Sequence, residues 1–135
     1  MTTIHHFCGT ESSFDWENVL SKKYEDGSAK GAYGKIMIGK EEGAPYFVFR
    51  YFRIEPGGYS TLEDHHTHDH GVMILHGRAM LTIGDQKVEV GPRDIIYIEP
   101  WEYHSFATLG DEPLGFLCVI PNKQMLESIK PTSGE

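Results

Sequence analysis

From Gly34 onward the chain is a succession of short β-rich runs cut by turn residues, and that pattern leaves few folds open to it. The runs are KIMIG, PYFVFRYFRIEPGG, GVMILHG, AMLTIG, QKVEV, DIIYIEP, HSFATLG and LGFLCVIP. Glycines at 39, 43, 57, 58, 77, 84, 91 and 110, prolines at 56, 92, 100 and 113, and Asp85 supply the breaks. These residue types tolerate positive φ, fix φ or bond to their own turn. Seven or eight strands at such spacing, with almost no helical period, predict an all-β sandwich or barrel over residues 34–121. Ahead of it, residues 1–33 read as a polar, irregular N-terminal arm. Within the arm ESSFDWENVL offers one short helix capped by Ser12 or Ser13. Phe14, Trp16 and Leu20 are expected to cover the outside of a sheet or a partner subunit. Residues 122–135 read as a short C-terminal tail, a brief helix at most.

At 135 residues the chain has the length of one domain, enough to bury a core without disulfides. Twelve basic against twenty acidic residues give a net charge of −8. That balance repels phosphate backbones and anionic membranes, so neither nucleic acid nor membrane is an expected partner. Cys8 and Cys118 lie far apart, and Cys118 sits in the apolar LGFLCVI run. The expectation is free thiols in a reducing compartment. MTTIHHFC carries neither a basic region nor an apolar segment long enough for export, and no run reaches membrane-spanning length. The protein is expected to be cytoplasmic.

Chemistry concentrates between Pro56 and Gly77, in PGGYSTLEDHHTHDHGVMILHG. Asp64, His65, His66, His68, Asp69 and His70 follow a Pro-Gly-Gly turn and precede the apolar run Val72–Leu75. Imidazole nitrogens and carboxylate oxygens bind borderline divalent metals, and residues two apart on a strand share a face. A metal site is the first expectation. A second stretch, GPRDIIYIEPWEYHSF, brings another histidine, His104, after a Pro-Trp-Glu-Tyr turn.

Together the two stretches resemble the motif pair of the cupin superfamily, over about Gly34 to Pro121. The resemblance implies a double-stranded β-helix, or jelly roll, whose two motifs jointly hold one metal ion. Counted back from Gly77 and forward from Gly58, the family's frame falls on Asp64, His66 and His70, with His104 from the second motif. The metal ligands implied are therefore Asp64, His66, His70 and His104. The wording IGKEEGAPYFVFRYFRIEPGG, HDHGVMILHG and PLGFLCVIP is similar to small stand-alone prokaryotic cupins with four histidines in that frame, from which Asp64 departs. Asp64 either ligates the ion or accepts a hydrogen bond from a ligating imidazole.

Around that frame, Arg50, His68, Phe106, Phe116 and Cys118 are candidate lining of a substrate pocket. Arg50 interrupts the aromatic run YFVFRYF and needs a partner, either an ordinary salt bridge or a substrate carboxylate. His65, His76, His5 and His6 are expected at the surface. Arg93 stands where the second motif has a turn glycine, and Trp101 is expected to wall the entrance. A ligand set of nitrogen and oxygen suits Fe(II) or Mn(II), with Zn or Ni as alternatives. The resemblance implies a metal-dependent oxidoreductase of dioxygenase type acting on a small-molecule substrate. A non-enzymatic metal or small-ligand sensor and a zinc- or nickel-dependent isomerase are the other readings. Small cupins of this kind imply a homodimer formed through the N-terminal strand and outer sheet, and Phe7, Phe14 and Trp16 fit that use.

Overall fold

The structure is a computed structural model that describes residues 2–11, 13–24, 29–60 and 67–122. Nine strands form one continuous curled sheet: β1 Ser21–Tyr24, β2 Lys30–Ile38, β3 Phe47–Tyr59, β4 His70–His76, β5 Arg78–Ile83, β6 Gln86–Val90, β7 Ile95–Ile98, β8 His104–Leu109 and β9 Leu114–Pro121. Every predicted run is a strand, and the expected all-β jelly roll is the fold observed. The strand order is β6-β5-β8-β3-β9-β4-β7, with β2 on the free edge of β3 and β1 on β2. All pairings are antiparallel.

β3 closes the structure because it is long enough to serve both halves. Phe47–Ile54 pair along β9, whereas Tyr59 reaches Ala107 of β8. The next residue, Ser60, donates its N–H to the Phe106 carbonyl and accepts the Phe106 N–H on Oγ, each at 2.8 Å. Period-two alternation then turns Ile54, Val72, Ile74, Leu81, Phe106, Leu114 and Phe116 into one core, with Ile74 and Leu114 fully inaccessible.

On the outer face of the sheet, the arm does not form the predicted helix. Residues 7 and 16, and 10 and 13, make antiparallel bridges instead, and Asn18 has a φ of 61°. Aromatic packing outweighs helical propensity here. Phe14 stacks on Tyr51 at 5.9 Å, Trp16 meets the same ring edge-on at 5.2 Å, and Phe14 lies 4.8 Å from His76. The predicted C-terminal helix falls beyond Asn122, outside the described residues apart from that residue.

His76 is therefore not the surface residue expected. Its Nδ1–H donates to the Pro113 carbonyl at 2.9 Å, which leaves Nε2 to accept the Tyr51 hydroxyl at 2.5 Å. Gly115 makes room for the ring, since a Cβ there would lie 1.9 Å from His76 Nε2. His5 is also partly buried, between the Glu17 carbonyl and the Glu42 carboxylate; His6 is exposed. Both corrections have one cause, which is that the partners come from segments distant in sequence.

Burial lowers the His76 pKa below its ordinary 6.5, and burial raises that of Tyr51. The unfolded chain thus binds more protons at His76 than the folded chain between the folded value and 6.5. This contribution to stability is intact above 6.5 and is lost as pH falls through the folded value. His5, raised by the Glu17 carbonyl and then by Glu42, works in the opposite direction. Urea midpoints at pH 7.5 and 5.5 check this by comparing the wild type with His76→Gln. The expected result is a smaller loss of midpoint on acidification in His76→Gln, and equal losses would contradict it.

Candidate metal and ligand site

The strand register brings the chemistry-bearing residues to one end of the barrel. On β4, His70, Val72 and Ile74 face inward; on β8, His104 and Phe106 do so. His70 and His104 are 6% and 8% exposed, and their ring centroids lie 4.9 Å apart. His104 Nδ1 donates to the Glu102 carbonyl at 2.9 Å. That bond fixes the tautomer and leaves Nε2 with the lone pair a metal requires. This is the arrangement of a ligating imidazole, and it fits the donor set expected for a divalent ion.

His68 comes closer to this site than its place outside the ligand frame implied. It is 7% exposed, and its ring centroid is 4.9 Å from that of His70. It is not among the residues lining the cavity beside His70 and His104. Its Nδ1 bonds to the Asp69 carbonyl at 3.2 Å. Asp64, His66 and His65 lie outside the described residues. Among the described residues no group of three or more His, Cys, Asp or Glu side chains is arranged to hold a metal ion.

A cavity of about 140 Å³ opens beside His70 and His104. Arg50, Phe106, Phe116 and Cys118 line it, together with Phe52, Ser60, Val72 and Ile98. Phe116 ties the aromatic wall together, stacked on Phe106 at 4.5 Å and tilted against Phe52 at 5.4 Å. Cys118 lies directly opposite Arg50 on β3 and Val72 on β4. Arg50 Nη2 donates to Cys118 Sγ at 3.1 Å, and the guanidinium lies 4.8 Å from the Phe52 ring. The salt bridge expected of Arg50 is not formed among the described residues. The nearest acid along the strand, Glu55, is bound to Arg53 at 2.7 Å. Both cysteines are free thiols.

At the second motif, Arg93 has a φ of 72°, the left-handed conformation its replacement of a turn glycine called for. The strain is held by hydrogen bonds on either side: Arg93 N–H to the Ile74 carbonyl at 2.8 Å, and Gly91 N–H to the Asp94 carboxylate at 2.8 Å. Trp101, also left-handed at 67°, is 60% exposed and does not line the cavity.

Residues 50–120 match the Cupin_2 cupin-domain family. The chain is a cupin. It is similar to a Rhodospirillum rubrum protein named 1-methylthio-D-xylulose 5-phosphate methylsulfurylase, 49% identical over 111 residues that cover 82% of this cupin and 70% of the relative. The crystal structure of a cupin-2 domain from the same organism has a TM-score of 0.72 at 33% identity, covering 92% of this chain and 91% of that one. The polyketide cyclase RemF from Streptomyces resistomycificus has a TM-score of 0.71 at 29% identity, with coverages of 77% and 74%. Cupins usually bind metal. No helix among the described residues is long and apolar enough to cross a membrane.

Proposed function

We propose that this cupin is a metal-dependent enzyme acting on a small carbonyl compound, with the thio-pentulose phosphate of its R. rubrum relative as the model substrate. The observation that carries this reading is the placement of two buried imidazoles, one of fixed tautomer, beside a cavity that also holds a thiol and a guanidinium. His70 and His104, with His66 and Asp64 from the preceding segment, would hold the ion. Fe(II) or Mn(II) is preferred, with Zn or Ni as alternatives. A divalent ion there supplies Lewis acidity toward a substrate oxygen. The chain's own groups supply the rest. Transfer of the alkylthio group to a thiolate would form an S–S bond and break the C–S bond. The electron pair would pass to the carbon beside the carbonyl as an enolate that is then protonated. Cys118, a thiol in the same lining bonded by Arg50, is the candidate nucleophile.

A dioxygenase is the second reading, favoured by the aromatic wall of Phe52, Phe106 and Phe116, which would limit water at the metal end. The two readings separate in one assay. Metal-loaded protein is incubated with 1-methylthio-D-xylulose 5-phosphate and a thiol under air and under argon. Loss of the methylthio group without oxygen consumption supports the first reading. Oxygen uptake supports the second, and no turnover in either atmosphere counts against this substrate.

A further inference from the structure

We propose that Arg50 is the residue with which the pocket recognises an oxyanion, a carboxylate or a phosphate, at the far end of a short carbonyl substrate. The proposal rests on the reading of this cavity as the ligand site and adds to it a class of ligand and a residue that selects it.

A guanidinium stays protonated and carries five N–H donors. Burying it beside neutral groups alone is costly, and the cost is offset when an anion accompanies it. Arg50 is half-buried and has no acid beside it among the described residues. Its partners are a thiol and a phenyl ring, and the described lining of the cavity contains no carboxylate. Nε is inaccessible to solvent and has no hydrogen-bond partner among the described residues. Arg50 nevertheless lines the cavity, so an anion that enters there is what offsets its charge.

Geometry gives the size of that ligand. The Cys118 contact and the Phe52 ring fix the plane of the fork at one side of the cavity, while His70 and His104 occupy another. β9 lies between β3 and β4, so the backbones carrying Arg50 and His70 are two strand spacings apart, about 10 Å. With side chains reaching inward from both, a molecule of a few carbons spans the gap, its carbonyl end at the imidazoles and its oxyanion at Arg50. The cavity that both groups line measures about 140 Å³.

The test is calorimetric titration of the untagged protein with inorganic phosphate and, separately, with acetate, on wild type, Arg50→Lys, Arg50→Met and His104→Ala, with metal content measured on each. At least one anion is expected to bind wild type. Its affinity should fall about 10-fold in Arg50→Lys and about 100-fold in Arg50→Met at unchanged metal content, the loss of a charge-assisted, forked contact. Arg50→Lys carries the test if circular dichroism shows that Arg50→Met does not fold. Binding of phosphate alone or of acetate alone identifies the kind of oxyanion. Binding that survives in both Arg50 variants but disappears in His104→Ala places the anion on the metal and overturns the proposal, as does binding of neither anion to wild type. Arg50-dependent binding in a protein whose metal content is indifferent to His104 leaves the Arg50 assignment standing and removes the metal reading instead.

Discussion

His104→Ala is expected to lose metal-linked stability and more than about 100-fold of any metal-dependent turnover. His104 opens β8, is 8% exposed and has its Nδ1–H committed to the Glu102 carbonyl. Only Nε2 remains to bind a metal, and alanine supplies nothing in its place. Outer partners of ligating histidines alone are worth about 10- to 100-fold in affinity or activity, so loss of a ligand should exceed that. A ligand that binds only the folded state stabilises it by about 2.7 kcal/mol at one hundred times its Kd. Thermal unfolding with and without saturating Mn(II) reads this directly. The wild type should melt higher with the ion, and His104→Ala should show no shift. An equal shift in both would remove His104 from the site.

The largest structural effect is expected at Gly77, in the turn between β4 and β5. Gly77 has a φ of 75°, and a Cβ there would lie 2.3 Å from the Pro113 carbonyl oxygen and 2.8 Å from Leu114 Cα. Both obstacles are backbone, so neither can swing aside. The left-handed conformation alone costs a non-glycine residue about 1–2 kcal/mol. Displacing the Pro113 carbonyl would also disturb the acceptor of His76 Nδ1. Gly77→Ala is therefore expected to destabilise the fold by about 3 kcal/mol or more, measured by urea unfolding at pH 7.5. A change below about 1 kcal/mol would show that the turn relaxes more readily than its contacts allow.

The barrel was legible in the sequence because its signal is local. Turn residues bound each run, and alternation within each run sets which residues face inward. Phe116 and Cys118, which share a face of β9, and Arg50, which interrupts an aromatic run, line one cavity. What escaped depends on contacts between distant segments. β1 and the first residues of β2 are too polar to announce a strand; β1 owes its form to pairing with β2, and β2 to pairing with β3. The helix expected in the arm gives way to Phe14 and Trp16 packing on Tyr51. His76 could not be read as buried from its own neighbours, since its partners are 25 and 37 residues away. Nor could His68 be placed, because a strand parity cannot be extended into a segment that precedes the strand. The Arg50–Cys118 contact follows from register, which alternation within single strands does not reveal.

Elemental analysis tests the central claim most directly, that the His70 and His104 end of the barrel holds a divalent ion. It requires untagged wild-type protein prepared without a metal-affinity column, with His104→Ala prepared alongside. About one divalent metal ion per chain is expected in the wild type, Fe or Mn in preference to Zn or Ni, and its loss in His104→Ala. A wild type that stays metal-free when offered these ions, or a metal content indifferent to His104, would contradict it.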